Sequence, residues 1–385
     1  MRRTTRYVVP AAALLLALAG CSDAEPRQAA GTATPSTSAT ESPQAATPDG
    51  PSGGPSPSAT RSAAAGGTAT RPAVLEPETA LLDWQRVAGP VEDTVTRGGG
   101  WTLSVNQDRS RAQLEGPAGA TSWSAAGERV ADALLDEDYA VVVLQDKQEQ
   151  DPSRAIVTDL ASGQEFAIDG SSDIPTTNGG TWALGDGHLL HATLSKRSYC
   201  IASVDLATRT STLGWCAPAR QGFNQARIST AGDTITTFDD SRPSCRTVSR
   251  LEGTRTEPFP GAPDCHGAEG VLIEDGAVWS VVPNERRIET AHLYARVGDG
   301  YFDLGPGSTG TLTWCGGAAY FSRDPQRRGD DATLMRWTPQ AGLSTVYVSP
   351  GGQAFLPTPR CGGDTITVTA LAQGGDEQVS ASVAD

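Results

Sequence analysis

The chain has 385 residues, 38% of them hydrophobic and 19% charged, and it carries a formal charge of −15. That balance repels phosphate backbones and anionic lipid surfaces, so nucleic acid is a poor partner and a membrane would have to be reached by something other than a basic patch.

The first twenty residues have the three parts of an export signal: basic Arg2, Arg3 and Arg6, an apolar run from Val8 to Ala19, and small residues before Cys21. The run is shorter than the roughly 20 apolar residues a spanning helix needs. Leu18-Ala19-Gly20-Cys21 resembles the bacterial lipobox, whose cysteine takes a diacylglyceryl group on its sulfur and becomes the new N-terminus. The alternative is an ordinary signal peptide that happens to contain a cysteine. The residues after Arg2-Arg3 do not complete a twin-arginine pattern, so general secretion is expected. Residues 1–20 hold three arginines and no acids, so their removal takes the charge from −15 to −18. Basic residues are nearly all arginine, Lys147 and Lys196 excepted, a usage that resembles a GC-rich, actinomycete-like genome.

From Ser22 to about Ala73 the chain is almost wholly Ala, Pro, Ser, Thr and Gly, too poor in large apolar residues to offset the entropy of ordering. A flexible tether (21–73 with the cysteine) is expected, spanning on the order of 40 Å and open to O-glycosylation.

Beyond it, over 74–385, short alternating apolar runs follow Gly or Asp turns. Seven align, starting at Trp101, Tyr139, His188, Thr234, Ala277, Ala318 and Thr365, with steps of 38, 49, 46, 43, 41 and 47 residues. A second signal keeps pace: Leu114-Glu-Gly, Asp159-Leu160-Ala-Ser-Gly, Asp205-Leu206, Arg250-Leu251-Glu-Gly, Arg296-Val297-Gly and Arg336-Trp337. Two registers in step predict a four-stranded unit of blade length, hence an all-β, seven-bladed β-propeller, with six blades as the competing count. The units resemble those of secreted bacterial propellers of the pyrroloquinoline-quinone-like and related repeat families. The resemblance implies the fold and little about activity, because propellers host many unrelated functions. With strands lettered A to D outward from the axis, the last unit has A near Ala354 to Pro357, B and C, and then the chain ends. Leu81 to Val87 is expected to supply its missing outer strand, so that the two ends share one blade.

Six further cysteines in an exported chain predict disulfides. The register selects Cys200–Cys216 and Cys245–Cys265 on one face, and Cys315–Cys361 at the ends of two adjacent A strands on the other. With no Cys-x-x-Cys motif, no metal is expected. His188 and His191 are three apart on a strand and point to opposite sides, so they should not share an ion. There is no Gly-x-Ser-x-Gly element. Asn178-Gly-Gly-Thr-Trp182 matches part of a sialidase Asp-box turn, but once only. Pyrroloquinoline-quinone enzymes often carry adjacent cysteines against the cofactor; this chain has none, and no cofactor is expected. Trp182, Trp215, Trp279, Trp314 and Trp337 are read as wedges between blades.

The loops between strands B and C concentrate charge of both signs and should ring one face. Asp239, Arg242, Arg286, Arg323 and Asp324 are the candidate hydrogen-bonding or ion-pairing contacts there, set against the plain reading that hairpin tips are charged because they are wet. No catalytic residue is assigned. Three functions stay open: a monomeric, lipid-anchored binding or assembly module on the outer side of the cell membrane, facing an envelope protein, peptide or glycan; an extracellular enzyme with a polar site at the channel mouth; and a structural envelope component.

Overall fold

The computed structural model describes residues 71–383 apart from 285, 288 and 328, so the signal segment, Cys21 and the tether up to residue 70 lie outside it. The described residues contain no helix and form seven sheets, antiparallel within each blade: blades 1 (94–124), 2 (128–168), 3 (182–216), 4 (221–258), 5 (267–308), 6 (313–348) and 7 (354–382). The count is seven, and each of the seven aligned runs is the second strand of its blade.

Position across the blade explains the pattern. Tyr139–Asp146, second from the axis in blade 2, buries successive residues on both sides because a neighbouring blade covers each face. Gly119–Ser124, outermost in blade 1, leaves all but Trp123 exposed. The second sequence signal is a turn device. The Asp159 carboxylate accepts the Ser162 N–H at 2.8 Å, and Gly163 closes the turn at φ +70°. The leucine that follows is buried, and its N–H crosses to the inner turn of the same blade: Leu160 to the Asp138 carbonyl at 2.9 Å, Leu206 to that of Gly187 at 3.0 Å.

Each blade buries its faces against its neighbours. Apolar clusters bridge blades 1 and 2, 2 and 3, and so on to 6 and 7. None bridges 7 and 1 among the described residues. That closing seam is polar: Gln378 Nε2 donates to the Asp93 carbonyl at 2.9 Å, Arg97 Nη1 to Ser380 Oγ at 3.1 Å and Arg360 Nε to Thr96 Oγ1 at 3.3 Å. The backbones meet so closely that a Cβ on Gly98 would lie 1.5 Å from the Gly362 carbonyl oxygen.

The N-terminal segment ties the ring from outside. Ala73–Val74 runs parallel to the outer strand of blade 5, Glu78–Thr79 parallel to that of blade 6, and Gln85–Arg86 antiparallel to Glu377–Ser382 as the fourth strand of blade 7. The two ends therefore share a blade, as the sequence predicts, but through less of the 81–87 stretch. Ala80 and Leu82 pair with blade 6, and only Gln85 to Val87 close blade 7. The sheet pairing already begins at Ala73. The innermost strand of blade 7 is also split, into Ala354–Phe355 and Arg360–Cys361, because Pro357 and Pro359 lack the N–H that pairing needs.

Trp84 is the rivet of this strap. Its Nε1 donates to the Val346 carbonyl at 2.7 Å, and its ring meets Tyr347 edge-on at 5.3 Å. Trp84→Ala should cost about 2–3 kcal/mol, from lost packing and an orphaned carbonyl. A urea titration should show a lower midpoint; an unchanged midpoint would mean the strap carries no stability.

Candidate functional site

The innermost strands of the blades face the axis. Asp132, Arg227, Arg360, Trp182 and Trp314 line a narrow cavity of about 200 Å³ there. Its charges are spent on the ring itself. Arg227 of blade 4 pairs with Glu269 of blade 5 at 3.0 Å and donates through Nε to the Leu312 carbonyl, which leads into blade 6. Glu269 is 1% exposed and also accepts the Gly310 N–H at 2.8 Å; burial pushes its carboxyl upward, with Arg227 pulling the other way. Arg360 of blade 7 reaches past Thr96 of blade 1 to Asp132 of blade 2 at 3.5 Å. Each arginine thus joins three successive blades.

At one mouth of the axis, inner turns surround a cavity of about 440 Å³ that includes Asp136, Glu137, Asp138, Asp186 and the Cys315–Cys361 disulfide. Asp136 is occupied as a turn cap, accepting the N–H groups of Asp138 and Tyr139 at 2.9 and 2.7 Å. Its carboxyl is raised, first by burial. Nearby, His188 Nε2 lies 3.0 Å from Asp233 and spans blades 3 and 4. The bond to Asp233 raises His188 above its ordinary 6.5, with burial opposing and Asp186 adding. His191 is fully buried, stacks on Trp182 at 5.4 Å and has Nδ1 3.0 Å from the Ala192 carbonyl oxygen. No grouping of His, Cys, Asp or Glu among the described residues could hold a metal.

The opposite face carries the loops between B and C, in the predicted topological position, and the disulfides Cys200–Cys216 and Cys245–Cys265 beneath it. Its five candidate residues divide. Arg242 and Arg286 are exposed at loop tips. Asp239 holds its own loop: it accepts the Ser241 hydroxyl at 2.5 Å and the Cys245 N–H at 2.9 Å, bonds that lower its carboxyl below the ordinary value. Arg323 turns inward and donates to the Leu304 and Pro306 carbonyls, both at 2.9 Å, bracing blade 6 on blade 5. Asp324 is half-buried, with one carboxylate oxygen enclosed and unpartnered among the described residues. No contact among the described residues joins the five into one cluster.

What this face does assemble is aromatic. Between blades 3 and 4 an open depression of about 460 Å³ is lined by Tyr199, Phe223, Phe238, Asn224, Gln225 and the Gly180-Thr181 turn. Tyr199 and Phe223 stack at 4.5 Å, and Trp215 meets Phe223 edge-on at 5.9 Å. Tryptophans and charged loop tips are the conspicuous features of the sequence, and these rings are not among the candidate residues it offers. A signal was present: Tyr199, Phe223 and Phe238 each sit within three residues of the same-face end of a strand.

No protein-family model matches the sequence, and no curated protein matches it significantly. Solved structures do. A prolyl endopeptidase superposes with a TM-score of 0.52 at 11% identity, over 75% of this chain and 46% of that one, so the chain spans about half its length. The β-propeller domain of the trilobed protease from Pyrococcus furiosus gives 0.52 at 9% identity, over 76% of this chain and 96% of that domain. An oligogalacturonate lyase gives 0.48 at 12% identity, over 80% of this chain and 98% of that one. The likeness is one of fold.

Two outcomes follow from the axis. Arg227→Ala strands a buried carboxylate and should cost about 3–5 kcal/mol, whereas Arg227→Met combined with Glu269→Leu should recover most of it; equal urea midpoints for the two would refute the pairing. The raised His188 contributes stability fully present below pH 6.5 and lost as pH climbs through its folded value. The midpoint gap between the native chain and His188→Gln should therefore be larger at pH 5.5 than at pH 8.5.

Proposed function

We propose that the chain is a lipid-anchored extracytoplasmic binding module, held on the outer side of the cell membrane through Cys21 and its tether. Its ring presents the B–C loop face to an envelope glycan, peptide or protein. One observation carries the reading: the axial charges are consumed in Arg227–Glu269 and Arg360–Asp132, while the loop face is broad, aromatic in one place and stapled by two disulfides. A rigid scaffold with adaptable loops suits recognition. Three disulfides fit an oxidising compartment.

Crosslinking the lipidated chain in its own cells and identifying captured material by mass spectrometry tests the binding role. Recovery of a recurring envelope component supports it; repeated recovery of none, together with turnover of a glycan by the purified chain, would replace it with the enzyme reading. The anchor is tested separately. Cys21→Ala should abolish incorporation of labelled fatty acid and shift the protein from the membrane pellet to the soluble fraction, since one lipidated residue is the whole attachment proposed.

A further inference from the structure

The depression between blades 3 and 4 is built rather than left over. Gly180, at φ +103°, lies beneath Tyr199: a Cβ there would come within 2.7 Å of the tyrosine hydroxyl and 2.5 Å of Ala192 Cβ. Gly222 pairs across the sheet with Phe238, and a Cβ on it would lie 2.6 Å from the phenylalanine ring, so that ring rests on bare backbone. Two glycines at close approach thus seat the Tyr199 and Phe238 rings. Gln225 is held at φ +52° inside a bulge that breaks the register between Asn224 and Arg227, a conformation that costs a non-glycine residue energy. The bulge is held in place as the Ala226 N–H donates to Thr181 Oγ1 at 3.0 Å.

The chemistry of the lining is selective. No Asp, Glu, Lys, Arg or His belongs to it, in a molecule with 45 acidic and 30 basic residues. It has aromatic faces at its base and, at its rim, the Asn224 and Gln225 amides and the Tyr199 hydroxyl. Asn224 is exposed, and the Tyr199 hydroxyl has no hydrogen-bond partner among the described residues. Burial raises the Tyr199 phenol, so it stays protonated and able to donate at neutral pH. Amides and a hydroxyl both donate and accept. An uncharged molecule with an apolar C–H face and a rim of hydroxyls satisfies floor and rim together. A charged ligand finds no counter-charge. An extended peptide finds no straight strand edge to extend, because the bulge interrupts the innermost strand of blade 4 at this point.

We propose that Tyr199, Phe238, Asn224 and Gln225 form a binding site for the ring of a neutral sugar, the pyranose or furanose unit of an uncharged glycan. This rests on the binding-module reading and narrows it to one ligand class and one patch.

The test uses the intact mature chain in a detergent without a sugar headgroup. Saturation-transfer NMR is run with neutral hexasaccharides of glucose, mannose, galactose and arabinose, and with oligogalacturonate and a proline-rich hexapeptide as comparators. At least one neutral hexasaccharide should bind. Tyr199→Ala and Phe238→Ala should each weaken it tenfold or more, Asn224→Ala and Gln225→Ala severalfold, and Arg255→Ala, exposed at the turn between the two outer strands of blade 4 and outside the depression, not at all. Cooperative unfolding and absence of free thiols confirm that each variant has folded; should an aromatic variant fail this check, the exposed Asn224→Ala decides. Failure of every neutral sugar to bind overturns the proposal, as does binding insensitive to Tyr199, Phe238 and Asn224. Binding of the peptide or the acidic glycan in their place, with the same sensitivity, overturns the sugar assignment but keeps the binding module. Loss of all ligands together with an empty crosslinking experiment removes both.

Discussion

Ring closure is the constraint on which the molecule depends. Six of its seven blade interfaces are apolar, and burial of that kind gains free energy without regard to direction. The seventh, between blades 7 and 1, is made of glycine backbones in contact and of bonds from Gln378, Arg97 and Arg360. A polar seam offers little net attraction, because each bond replaces one to water. The ring stays shut because the 73–87 segment crosses blades 5, 6 and 7 on the outside and becomes the edge of the last one. The outer sheet edges of blades 5, 6 and 7, which would otherwise template association, are covered by the same segment.

That arrangement decides where chemistry can occur. Seven inner strands bring polar groups together at the axis, and Asp132 and Glu269 need counter-charge there. Arg360 and Arg227 supply it; the first pair joins blade 7 to blade 2 and the second joins the consecutive blades 4 and 5. The rim of each face carries the polar and aromatic groups that the ring itself does not consume. The inner-turn face is acidic but partly consumed in turn capping, as at Asp136. The B–C face holds the two disulfides nearest a patch whose rings are neither wholly buried nor scattered, and rigid support of that sort lowers the entropy lost on binding.

The candidate loop residues show why position in a topology does not settle a role. Asp239 and Arg323 stand at the ends of B strands, where a side chain can fold back on its own loop or point into the neighbouring blade, and both do. Arg242 and Arg286 lie a few residues further out and are exposed. The choice depends on which backbone carbonyls and N–H groups happen to be within reach, which no linear spacing reveals.

The blade number, the seven central strands and all three disulfide partners were legible in the chain itself, since alternation and turn chemistry act between near neighbours and a repeated register carries them around the ring. The shorter closing strand and the broken inner strand of blade 7 were not, although Pro357 and Pro359 signalled the second. The axial pairs belong to tertiary structure alone, Arg360 and Asp132 standing 228 residues apart; strand position put Tyr199, Phe223 and Phe238 on one face, but only packing brings these rings, from three strands of two blades, into one depression. Their meeting depends on how the sheets pack radially, a property of the closed ring rather than of any segment in it.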